Sequence, residues 1–197
     1  MPLDNLFGLL VFAFVTSITP GPNNLMLLAS GVNFGFSRTI PHIAGVAGGF
    51  GVLALCVGSG LGLLLMAYPS FHLALKISGG GYLLFLAWRI ATSRALGKSQ
   101  AAATPMSLLA ASLFQWVNPK AWMMAITSIT LYSHPETSFM SVLVVVIIFI
   151  SVNLPCICVW VGSGTALRRF LDDPGRLRWF NITMGALLAL TIIPMVQ

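Results

Sequence analysis

Six apolar stretches, residues 6–28, 40–66, 71–90, 108–131, 139–167 and 179–196, take up nearly all of this 197-residue chain. Each is close to the roughly 20 residues whose helix crosses a bilayer, and little is left over except connections. In lipid every backbone N–H and C=O has to be satisfied inside the protein, so stretches of this kind read as helices. Only 7% of the residues are charged, against roughly a quarter in a soluble domain. The expected fold class is an all-α integral membrane protein with six transmembrane helices in one domain, 1–197. The first segment carries Asp4, has no basic residue ahead of it, and is too long and too Pro-rich for a signal peptide, so it is expected to stay in the mature protein.

Two of these segments are interrupted by proline: Thr19-Pro20-Gly21-Pro22-Asn23-Asn24 in the first and Asn118-Pro119-Lys120 in the fourth. Proline removes a donor and clashes with the preceding turn. In a regular helix Pro20 would free the carbonyl of Thr16, Pro22 that of Ile18 and Pro119 that of Gln115. Such breaks are tolerated in a membrane where they line a polar site, and matched breaks in two halves of a chain point to a transporter's substrate site. The half-helix after each break offers unpaired amides and a partial positive charge that suit a carboxylate. Gly21 lets the backbone approach a ligand, and Asn23, Asn24 and Asn118 supply donors and acceptors.

Internal similarity supports two halves. Val57-Gly58-Ser59-Gly60 recurs as Val161-Gly162-Ser163-Gly164, an offset of 104 residues, and Gly81-Tyr82-Leu83-Leu84 matches Gly185-Ala186-Leu187-Leu188 at the same offset. Pro20 and Pro119 differ by 99. The halves, about 1–92 and 105–197, are joined by a polar linker, 93–104. Three helices is an odd number, so the second half is expected to insert upside down, as an inverted repeat with helices 1 and 4 broken.

The net charge of +6 does not call for a nucleic-acid partner, because the basic residues gather at particular helix ends. Arg38 follows segment one; Arg89, Arg94 and Lys98 follow segment three; Arg168, Arg169, Arg176 and Arg178 lie between segments five and six. These connections are expected in the cytoplasm and both termini outside. Lys120 is the one ionisable residue placed near the bilayer centre, where a charge costs at least about 2.5 kcal/mol and marks function. It suits a substrate carboxylate or a proton-exchanging role.

No Asp or Glu lies between Asp4 and Glu136, no cysteine–histidine metal pattern exists, and no nucleophile has a base in reach. Metal, cofactor and enzyme are therefore not expected. Cys56, Cys156 and Cys158 read as packing residues, and so do Gly58 and Gly60, together with Gly45 and Gly49, by small-residue helix contact. Asn153 and Pro155 are expected to add a third bend and a polar group to the pathway.

The first-segment signature, with Gly45-Val46-Ala47-Gly48-Gly49-Phe50, Gly79-Gly80-Gly81-Tyr82-Leu83 and Asn118-Pro119-Lys120, resembles the LysE/RhtB amino-acid exporter family over essentially the whole chain. The Gly49-Phe50 pair and Leu86-Ala87-Trp88-Arg89-Ile90-Ala91-Thr92-Ser93 look most like its cysteine and O-acetylserine exporters. The resemblance implies export of a small amino acid from a bacterial cytoplasm across the inner membrane, driven by protons or another ion. Several relatives carry Asp where Phe50 stands, so a shared acid-based coupling and a cationic substrate are not implied here.

The substrate-binding residues expected are Thr19, Pro20, Gly21, Pro22, Asn23, Asn24, Asn118, Pro119 and Lys120, with Gly45, Gly49, Asn153 and Pro155 in packing or gating. In that picture the amides after Pro22 and the Lys120 ammonium take the carboxylate. Partners are the amino acid, membrane lipids and a coupling ion, and a homodimer is compatible with the sequence. The alternatives are an uncoupled channel or permease, then a membrane scaffold or intramembrane enzyme.

Overall fold

The computed structural model describes residues 3–61, 69–93, 104–133 and 138–193, and among them it is all helical. The elements are α1 Leu3–Ile18, α2 Pro22–Phe34, α3 Phe36–Cys56 continuing into a widened turn at Val57–Leu61, α4 Pro69–Ala91, α5 Leu108–Val117, α6 Pro119–Tyr132, α7 Ser138–Leu167 and α8 Pro174–Leu190. Helices Phe36–Leu61 and Phe139–Leu167 are each long and apolar enough to cross a membrane, and α1 with α2, bent by 55°, makes a third candidate.

Segment one reaches Phe34 rather than ending near 28, and turns into α3 at Gly35 with φ 81. That is the left-handed region, which glycine enters freely. Segment two therefore starts at Phe36 rather than 40. Its polar first turn is held by Thr39 Oγ1, which donates to the Gly35 carbonyl at 2.8 Å. Segment six likewise starts early: the Asp173 carboxylate accepts from the Arg176 amide at 2.9 Å as an N-cap, and Pro174 fills the first helical position. Arg176 and Arg178 thus lie in a helix, not in a loop as expected. Segment five runs as one helix through Pro155. The linker centre and the last residues of segments two and six lie outside the described residues.

Each broken helix rests on the second long helix of the other half: α1 and α2 on α7, and α5 on α3, while α4 packs against α8. Main chain meets main chain at these seams. A Cβ on Gly31 or Gly164 would strike the carbonyls of Val161 or Leu28, and one on Gly45 would strike that of Leu108. A Cβ on Gly49 would come within 2.5 Å of the Ser112 Cα. At all four positions a side chain would run into the main chain of the neighbouring helix. One expectation is corrected: Gly60, with φ 101 and nothing within 4 Å among the described residues, is a turn glycine rather than a packing one. The repeat-matched pair Gly81 and Gly185 differ in their surroundings, Gly81 facing open space and Gly185 pressing on Ala87 and Ala91.

The buried interior centres on Phe50, Phe149, Leu53, Leu9 and Ala125. Apolar side chains also cover the outside, Phe14, Leu109 and Ile147 each being about half exposed or more. A continuous apolar exterior around a polar centre is what lipid solvation demands.

The small-residue seams are testable by thermal unfolding in detergent. Gly164→Ala should lower stability by about 1–3 kcal/mol, because backbone has to move to admit the methyl group. Gly162→Ala, with nothing within 4 Å, should leave it unchanged.

Candidate functional site

Both expected breaks are present, and they face each other. At the first, Gly21 is fully extended (φ −172, ψ 178) and α2 restarts at Pro22; at the second, Asn118 is extended (φ −91, ψ 108) and α6 restarts at Pro119. A buried carbonyl left without a donor costs about 1–3 kcal/mol, so each freed group needs a partner. The Thr16 carbonyl accepts from Thr19 Oγ1 at 3.1 Å, and that of Ile18 from Trp160 Nε1 at 3.1 Å. Asn24 Nδ2 donates to the Ser17 and Thr19 carbonyls, both at 2.8 Å. At the second break the Gln115 carbonyl accepts from the Asn118 amide at 3.3 Å, and Trp122 Nε1 donates to the Trp116 carbonyl at 2.8 Å. Asn118 also caps α6, its side chain accepting from the Lys120 amide at 3.2 Å.

Lys120 joins the two breaks. Its ammonium donates to the Thr19 carbonyl at 2.8 Å, to Thr19 Oγ1 at 3.0 Å and, more weakly, to the Pro20 carbonyl at 3.5 Å. Its chain crosses Gly21 so closely that a Cβ there would lie 2.8 Å from Lys120 Cδ. Gly21 therefore leaves the space that the Lys120 chain occupies here, and its extended backbone is open to any residue.

A second cross-link escaped the sequence reading. Asn23 and Gln115 exchange amide hydrogen bonds, Asn23 Nδ2 to Gln115 Oε1 at 2.8 Å and Gln115 Nε2 to Asn23 Oδ1 at 3.2 Å. Gln115 also donates to the Ala111 carbonyl at 2.9 Å, and it is fully buried. Ser17 was missed as well; its Oγ accepts from Asn153 Nδ2 at 3.0 Å. The signal was present in both cases, a polar side chain inside an apolar segment, but nothing in the sequence names its partner.

These groups enclose a cavity of about 30 Å³ lined by Gly21, Asn23, Asn24, Asn118, Lys120, Gln115, Ser17 and Asn153, with Thr16 and the apolar Val46, Phe50, Ala121, Met124 and Ile157. That volume holds about two water molecules, so in this conformation the centre is too contracted to hold an amino acid. Two kinds of unmet polar group belong to residues that line it. The buried Asn153 Oδ1 has no hydrogen-bond partner among the described residues, and the amides of Asn23 and Asn24, first in α2, make no backbone bond there. Pro155, expected beside them, does not line the cavity.

At the ends of α2, α4 and α8 lies a second polar cluster. Asn33 Nδ2 donates to Asn181 Oδ1 at 3.1 Å, Asn181 Nδ2 to the Ser93 carbonyl at 2.9 Å, and Ser93 Oγ to Asn33 Oδ1 at 3.2 Å. A Cβ on Gly35 would meet Arg168 Nη1 at 3.1 Å. Gly35, Ser93 and Arg168, at the described edges of the three connections, thus lie at one end of the protein.

Residues 14–192 match the LysE type translocator model. The chain belongs to that family. It is 31% identical over 180 residues, 90% of each chain, to the cysteine/O-acetylserine efflux protein of Escherichia coli K12 and to that of Shigella flexneri. The protein of that name from Escherichia coli O1:K1 is 32% identical over 181 residues. No solved structure matches. Family and apolar helices together make this a multi-pass membrane transporter and not an enzyme.

The amide pair predicts non-additive unfolding free energies. Asn23→Ala and Gln115→Ala should each destabilise, with a double-mutant coupling of about 0.6–2 kcal/mol measured by thermal unfolding in detergent.

Proposed function

We propose that this translocator is a secondary-active exporter of small neutral amino acids or related metabolites, such as cysteine and O-acetylserine, across the bacterial inner membrane. The observation that carries the reading is the pairing of unmet groups around the central cavity. Asn153 Oδ1 offers an acceptor to an ammonium, while the Asn23 and Asn24 amides and Lys120 offer donors to a carboxylate. A zwitterion supplies both complements. The efflux proteins to which the chain is similar carry such molecules by name.

In the closed state Lys120 is held by the carbonyls of Thr19 and Pro20. Binding then has two parts: the α2 amides take the carboxylate, and Lys120 exchanges a carbonyl for it, a stronger charge-assisted bond. The exchange loosens one tie between the breaks. Substrate binding is in this way linked to opening, as alternating access requires.

The packing of each broken helix on the second helix of the other half supports a single domain of six spans, built as two inverted three-helix repeats. The meeting of the basic connections at one end supports a cytoplasmic location for that end and an outside location for both termini.

Cells lacking the protein, complemented with wild type or variants, test the reading by efflux of cysteine and O-acetylserine. Lys120→Met should insert normally and cut export by about tenfold or more, given that hydrogen bonds to a charged group contribute roughly 1.5–3 kcal/mol. Asn153→Ala should raise the concentration needed for half-maximal export. Uphill efflux in vesicles should collapse on adding an uncoupler; flux that only follows its own gradient would favour a channel or permease.

A further inference from the structure

A second cavity, about 560 Å³, opens at the basic end between α2, α4 and α5. Ser30, Asn33, Arg89, Ser93 and Ser107 line it, and so does His42 of α3. The His42 side chain is 2% exposed, and neither Nδ1 nor Nε2 has a hydrogen-bond partner among the described residues. A histidine kept only for packing would be expected to satisfy at least one nitrogen, since an orphaned buried polar atom is costly. The Ser30 hydroxyl, which lines the same cavity, is engaged elsewhere: it pairs at 2.9 Å with Thr39 Oγ1, which bonds the Gly35 carbonyl. An apolar residue of the same size would fill the space at lower cost.

His42, Val46 and Phe50 fall at i, i+4 and i+8 on one face of α3. Val46 and Phe50 line the central cavity, about 6 and 12 Å along the helix from His42 at 1.5 Å per residue. A single helix face therefore runs from the basic-end cavity to the closed centre. Charged or titratable neighbours are few. On α3 itself Arg38 stands one turn before His42 on the same face, and Cys56 lies at the far end. Neither α2 nor α5 carries one; α7 has Cys156 and Cys158, α6 has Lys120 and Tyr132, and α4 presents Arg89 and Tyr82 to the cavity. Among the described residues of α1 to α7 the only carboxylate is Asp4, in the first turn of α1. Of all these side chains only histidine ordinarily changes charge between about pH 5 and 8.

We propose that His42 is the proton-carrying group that couples export to a proton gradient, an inference that rests on the exporter reading above. In each cycle the unprotonated ring nitrogen gains one proton from water on the outer side while the centre is open that way. The same proton leaves to water in the basic-end cavity when the centre is open inward. Only an N–H bond forms and breaks, and the proton gradient supplies the drive.

Purified protein in proteoliposomes, with L-cysteine and O-acetyl-L-serine as probes, tests this. His42→Gln keeps a polar ring-sized side chain that cannot carry a proton. It should lose uphill transport driven by an imposed pH gradient by about tenfold or more, within the range of coupling free energies, while exchange of labelled for unlabelled probe persists. Gradient-driven transport at the wild-type level, or exchange lost in the same proportion as drive, would overturn the proposal alone. Wild-type vesicles that move neither probe would sink the exporter reading and the proposal with it. If the variant fails to fold, nitrogen-15 histidine spectra of wild type decide: a His42 ring that titrates between about pH 5 and 8 supports the role, and one fixed in a single form across that interval overturns it.

Discussion

One constraint organises the molecule: carbonyls released by proline inside a bilayer have no water to turn to. The first break releases several oxygens within a few residues, and the fold answers with donors from three other places. Trp160 comes from α7, Asn24 from the helix that restarts beyond the break, and Lys120 from the second break. Because two of the donors belong to distant segments, satisfying the backbone also fixes where α6 and α7 must stand. The polar centre and the helix arrangement are thus one solution to one problem of unmet hydrogen bonds.

The breaks were legible because a missing N–H is a property of the residue itself. Pro20, Pro22 and Pro119 specify which carbonyls lose their donors wherever the helices are placed, and the structure follows that accounting. The apolar segments were legible for a similar reason, since composition alone sets them. Partners were not legible. With apolar residues on nearly every helix face, the sequence holds no rotational signal to say that Asn23 meets Gln115 or that Ser17 meets Asn153. Lys120 shows the same limit: its position was clear, while its target in the closed state, a carbonyl pair rather than a ligand, depends on two segments a hundred residues apart.

Errors at the helix ends have a local cause. Polar residues such as Ser37, Arg38 and Thr39 read as a connection, yet a corner glycine at positive φ let the chain re-enter a helix at once. Asp173 and Pro174 carried a clear start signal that an emphasis on hydrophobicity passed over. At Gly60 the repeat pattern suggested packing, whereas the dihedral shows a turn.

The glycine seams divide the molecule differently from its sequence. Backbone lies against backbone where α2 meets α7 and where α3 meets α5, so each seam welds a piece of the first half to a piece of the second. Surfaces that close resist sliding, because no side chain is available to change rotamer and absorb the shift. Between α2 and α5, by contrast, the closest link is a pair of exchanged amides, which a ligand or water can replace bond for bond. Of the ties that cross the centre, the amide pair is thus the exchangeable one, and the seams that join the two halves are not.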